Sequence, residues 1–185
     1  MTNHIDLCSV LRHTVSANLY SNLVTRPTGR AVRTYIEKLL DEARSSNRAL
    51  AIIDFTHVSM IDFSCADEII AKLLQTSVAH PTLESYYLFR GMNEDHWSAI
   101  ETVLERHGLA LVVELGDGVE IVGVLGDRER RAWEGIKRRG RAVAADLVVE
   151  LGEPESDVGA SLDGLWRRRL IMRHGDAYTP VRELA

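Results

Sequence analysis

Hydrophobic positions recur along this chain in two rhythms. Val32, Ile36, Leu39, Leu40 and Ala43 fall three and four apart, which predicts an amphipathic helix over residues 29–44. Pro27-Thr28-Gly29 marks its entry and Ser45-Ser46-Asn47 its end. Ala49 to Ile53 is a short continuous apolar run, the pattern of a strand buried on both faces. Ala66, Ile69, Ile70, Leu73, Leu74 and Val78 give a second helical stripe, which Asp62 or Ser64 is placed to cap. Residues 86–89 read as a strand, and 93–107 as a helix carrying Trp97, Ile100, Val103 and Leu104, stopped by Gly108. Residues 109–115 and 119–125 read as a hairpin about Gly116-Asp117-Gly118. The mixed segment 5–15 reads as an edge strand. Strands alternating with helices predict an α/β fold with a small mixed sheet.

The rhythm changes after Gly126. Three helical stripes come in succession, over 128–139 (Trp133, Ile136), 142–151 (Val143, Leu147, Val148, Leu151) and 156–168 (Val158, Leu162, Leu165, Trp166). A hairpin about residues 174–177 closes the chain. Helix, helix, helix, hairpin is the order of a winged helix-turn-helix. The expected organisation is therefore an α/β domain over 1–126 and a winged helix over 127–185.

Composition narrows the class. The chain has 185 residues, of which 45% are hydrophobic and 26% charged, with four prolines, values of a folded protein and not a disordered one. No apolar run approaches the ~18 residues of a membrane span. No basic leader precedes an apolar stretch, and the two cysteines, Cys8 and Cys65, are too few for a disulfide framework. The expectation is a reduced, cytoplasmic protein with no membrane partner. The net charge of −5 is unevenly spread: residues 1–127 hold 10 basic and 17 acidic side chains, residues 128–185 hold 12 and 10.

The densest polar segment runs from Ile52 to Ile70. A buried strand ends in Asp54-Phe55, and Asp62-Phe63-Ser64-Cys65 opens the helix that continues Ala66-Asp67-Glu68. This segment resembles the STAS family, the fold of anti-sigma-factor antagonists. There a buried strand leads to an Asp-Ser-Ser-Gly turn at a helix N-terminus, and a partner kinase phosphorylates the second Ser. Ser64 matches that position, while Phe63 stands for the first Ser and Cys65 for the Gly. An uncharacterised STAS-like group, with Asp-Phe at the strand end and Ala-Asp-Glu at the helix start, is the nearer likeness. Residues 26–30, Arg-Pro-Thr-Gly-Arg, are compatible with it. The resemblance covers residues 4–126, with its specific part in 52–70. It implies a partner protein, a serine kinase or ATPase-like regulator, meeting Asp54, Asp62, Phe63, Cys65, Asp67 and Glu68, with Ser64 as the modified residue.

Catalytic chemistry finds little purchase. His57 would serve Ser64 or Cys65 as a base only if its loop folded back. No Gly-x-Ser-x-Gly elbow, paired-His zinc motif or phosphate-binding glycine loop occurs. The chain is expected to be non-catalytic, with no cofactor and no metal. In the C-terminal part, Lys137, Arg138, Arg139 and Arg141 form one basic cluster, and Arg167, Arg168, Arg169 and Arg173 another. These are the candidate DNA contacts. Against them, the segment expected to read bases, 153–161, holds three acids and no basic residue. Protein contact, including pairing with a second copy, and DNA contact thus stand as alternative outputs.

Overall fold

The computed structural model describes residues 2–14, 22–42, 48–80, 82–116 and 118–182. The chain forms two lobes: a mixed sheet with helices, then a helical lobe ending in an antiparallel hairpin.

The first strand, β1 (Thr2–Asp6), is shorter than expected. From Leu7 the chain coils into α1 (Leu7–Thr14). Leu7, Val10 and Leu11 are buried at helical spacing, and the Asp6 carboxylate accepts the Cys8 N–H (3.0 Å), capping the first turn. The expected strand over 5–15 is thus corrected to a strand end and a helix; Val15 lies outside the described residues. After the two-residue β2 (Asn22–Leu23) comes α2 (Arg26–Glu42), which begins three residues ahead of Gly29 and buries Val32, Ile36 and Leu40. Ala43 and Arg44 fall outside the described residues. Next in the chain are β3 (Arg48–Asp54) and β4 (Met60–Ile61), the latter paired with β2.

The next helix has three parts. A single turn, α3 (Phe63–Ala66), widens into a π-helical turn over Asp67–Ala71 and narrows again into α4 (Lys72–Ala79). The wide turn rotates α4 about the helix axis. Ser77 faces inward, its hydroxyl donating to Leu74 O (2.7 Å), and Val78, expected on the apolar stripe, is 41% exposed.

The sheet is completed by β5 (Glu84–Arg90), α5 (Glu94–His107), β6 (Ala110–Leu115) and β7 (Gly118–Gly123). Its order is β1-β3-β5-β6-β7, parallel except for the last pair. Strand order thus advances in one direction. Crossovers of one hand then place every connecting helix on the same face. Side chains alternate accordingly. Ala51, Ile53, Tyr87, Phe89, Leu111 and Val113 join the core under α1 to α5, while Leu50, Ile52, Tyr86, Leu88, Ala110 and Val112 face the other way.

The second lobe covers that other face. It comprises α6 (Asp127–Arg139), β8 (Ala142–Val143), α7 (Ala144–Leu151), α8 (Glu155–Arg167), β9 (Ile171–His174) and β10 (Ala177–Pro180). The first two residues expected in its middle helix are strand instead, because they pair with β10 in a three-stranded sheet of order β8-β10-β9. Trp133, Ile136, Leu162, Leu165, Ile171 and Met172 form one core with the second face of the large sheet. Among the described residues no helix is long and apolar enough to cross a membrane.

Candidate functional site

Two helix starts meet beside Asp62. This carboxylate caps α3: its Oδ1 accepts the Cys65 N–H (2.7 Å) and the Ser64 hydroxyl (2.9 Å). Its Oδ2 accepts the N–H of Thr25, just ahead of α2 (2.9 Å). Burial works to raise the Asp62 carboxyl, but these donors outweigh it and hold it below the ordinary value. Thr25 itself is in the left-handed region, φ 73, an uncommon conformation for a β-branched residue. The Cys65 thiol donates to the Thr25 carbonyl (3.0 Å). Gly29 permits this closeness, since a Cβ there would stand 2.9 Å from Cys65 Cα and 2.9 Å from Glu68 Cβ.

Behind the junction lies an ionic layer. Glu68 has no exposed surface; its Oε1 receives Arg26 (2.9 Å) and Lys72 (2.5 Å), and Arg33 lies 3.8 Å from Oε2. Asp67 receives Arg26 (2.9 Å) and His107 Nε2 (2.7 Å). Desolvation opposes ionisation of both acids. For Asp67 the donors His107 and Arg26, and for Glu68 the donors Lys72 and Arg26, prevail and keep each carboxyl below its ordinary value. The π-helical turn brings these two acids inward.

The seven residues expected to form one partner surface therefore separate. Asp62, Phe63 and Ser64 are half-buried and reach the surface, with the Arg106 guanidinium 5.4 Å from the centre of the Phe63 ring. Cys65, Asp67 and Glu68, expected beside them as contact residues, lie inside and support the junction from within. Burial, then the Asp62 charge, pushes the Cys65 thiol up to about 12, leaving it protonated and weakly nucleophilic at neutral pH. Asp54 stands elsewhere, at the end of β3. It accepts the Thr56 N–H (2.9 Å) and holds Arg90 at the end of β5 (2.8 Å). His57 lies against Asp6 (3.8 Å), not against Ser64 or Cys65. Among the described residues no group of three or more His, Cys, Asp or Glu is arranged to hold a metal.

Sequence reasoning did not find Thr25, Lys72, His107 or exposed Met60. A usable signal lay in Arg26, Arg30 and Arg33, three cations at helical spacing facing the Asp67-Glu68 pair.

The loop after β3 is fixed by Gly91 and His96. Gly91 has φ 70, and a Cβ there would lie 2.6 Å from the Thr56 nitrogen. Gly91→Ala is expected to cost at least ~2 kcal/mol and to lower the melting temperature by roughly 4–8 °C; a thermal melt within a degree of wild type contradicts this account. Buried His96 accepts the Asn93 N–H at Nδ1 (3.1 Å), so Nε2 carries the proton and donates to Val58 O (3.0 Å).

Most candidate DNA contacts are engaged within the chain. Lys137 pairs with Glu120, and Arg138 and Arg139 with Glu150. Arg167 pairs with Asp163 (2.8 Å) and Arg168 with Glu129 (3.0 Å). Arg169 is buried, its guanidinium 5.9 Å from the Tyr86 ring centre, at the joint between the lobes. Arg173 lies over Trp166 and Tyr178, while Arg141 is exposed. The exposed side of α8 presents Glu155, Ser156, Ala160 and Arg167.

Against known proteins, the chain matches no protein-family model and no curated sequence.

Proposed function

We propose that this is a non-catalytic regulatory protein in which the paired starts of α2 and α3 form a STAS-like surface for a partner protein. The partner is a serine kinase or ATPase-like regulator, Ser64 is the residue it modifies, and the winged-helix lobe relays the outcome by protein contact. The observation that carries this reading is the Ser64 hydroxyl bound to Asp62 Oδ1 at 2.9 Å, on the carboxylate that also holds Thr25. A phosphate on Ser64 adds about −1.5 to −2 charges at neutral pH. It removes the donor hydroxyl and sets anion against anion beside the cap. Met60, 45% exposed, and Phe63 supply apolar contact area close by in sequence.

The test is partner recovery by wild type, Ser64→Ala and Ser64→Asp. Alanine is expected to retain the partner, and aspartate to reduce recovery by about tenfold, ~1.4 kcal/mol. Equal recovery from all three removes Ser64 as a switch. A low-salt DNA titration decides the alternative output, a transcriptional regulator acting through the winged helix.

A further inference from the structure

A cavity of about 730 Å³ lies between the two lobes, at the carboxyl ends of β3, β5 and β6. The volume falls in the range of metabolite-sized sites. Both lobes build it. The sheet supplies Ile52, Leu88 and Val119, and the second lobe supplies Pro180, so much of the lining is apolar. Among the described residues, three of its four charged lining residues are cations: Arg90 from the sheet, Lys137 and Arg182 from the second lobe. Glu114 is the one acid among them.

The cations are not all spent. Asp54 takes Nε and Nη2 of Arg90, and Glu120 takes Lys137, yet neither acid lines the cavity. Arg182 shows no acid partner among the described residues. Gly118 and Gly140 leave the wall bare, since a Cβ on either would meet nothing within 4 Å.

We propose that this cavity binds a small organic anion, its apolar body against Ile52, Leu88 and Pro180 and its carboxylate or phosphate held between Arg90, Lys137 and Arg182. Such a ligand touches both lobes at once. Its occupancy therefore strengthens their joint, as any ligand selective for the folded state does. The site is independent of Ser64 and stands or falls separately from the partner reading.

The experiment is amide NMR on the full chain titrated with phenyl phosphate, benzoate and, as neutral controls, phenol and benzamide. Saturable shifts at the amides of Gly116, Gly118 and Gly140 are expected, with phenyl phosphate and benzoate binding on the order of 1 mM and each neutral control at least about tenfold weaker. Phenyl phosphate against benzoate reports which anionic head is preferred. Arg182→Gln combined with Lys137→Gln is expected to weaken anion binding about tenfold or more. Gly118→Leu, which fills the space without changing charge and sits where φ is not left-handed, is expected to abolish it; a thermal melt confirms that both variants fold. Equal affinity for charged and neutral probes overturns the proposal. So do shifts that map away from the three glycines, or binding unchanged by both variants.

Discussion

Replacing Trp133 with alanine is expected to destabilise the whole chain by about 3–5 kcal/mol. Trp133 is 1% exposed and belongs to the core that the second lobe shares with the large sheet. Its removal leaves a cavity in the core that also holds Leu50, Ile52, Tyr86 and Leu88. For a chain of this length that loss corresponds to roughly 6–20 °C in melting temperature. The decisive readout is where the loss appears. Hydrogen exchange is expected to accelerate in β3 and β5 as well as in α6 and α8, because one core spans both lobes. Faster exchange confined to residues 127–182 overturns the shared-core account. Removing everything after residue 126 is the stronger form: it bares the second face of the sheet, and the fragment is expected to aggregate, since an apolar patch of that kind is rare on a monomer.

Glu68→Ala is the second large effect. The carboxylate has no exposed surface, and it joins α2 to α4 through Arg26 and Lys72. Breaking a buried pair costs about 3–5 kcal/mol. The lower end is expected here, because Arg26 and Lys72 are 45% and 39% exposed and can turn to water once released. The pH dependence separates this from a simple packing loss. Glu68, Asp67, Asp62 and Asp54 all have folded-state values below their ordinary ones, 4.5 for Glu and 3.8 for Asp. Their contribution is therefore present above those ordinary values and is lost as pH falls through the lowered ones. Urea melts at pH 7, 5 and 3 are expected to show wild type losing stability between the last two, with the gap to Glu68→Ala narrowing. A gap constant across that range assigns the loss to packing alone.

His96 adds a shallower slope. Burial lowers it from 6.5, its Val58 bond only partly offsetting this, so the folded chain keeps the ring neutral while the unfolded chain takes up a proton. Stability declines as pH falls below 6.5.

The strands and most helices were legible because their signals are local. Ala49 to Ile53 is apolar on both sides, and the two sides join different cores. Gly108 does end α5, at φ 61, and Asn93 caps its start, accepting the His96 N–H. The segment around α1 misled because Ile5 and Leu7 alternate like a strand before Val10 and Leu11 take up helical spacing, so period alone could not place the break. Within the candidate site, Asp62 and Ser64 read as a cap from their position. The burial of Asp67 and Glu68 did not, since acids ordinarily read as surface. The cation that buries them, Arg26, lies 41 and 42 residues away. No residue pattern announced the π-helical turn that brings them inward. Charge likewise suggested a free basic appendage, whereas Arg138, Arg139, Arg167 and Arg168 are neutralised by acids of their own lobe.

One-sided winding also has a consequence in time. A ribosome adds about 5–20 residues each second. The strands through β7 are complete before α6 exists, so the face containing Leu50, Ile52, Tyr86 and Leu88 waits for its cover. At that pace the interval is about 3–11 s. A sheet wound on both faces covers each strand as it is made. This one depends throughout that interval on whatever else in the cell can shield an apolar surface.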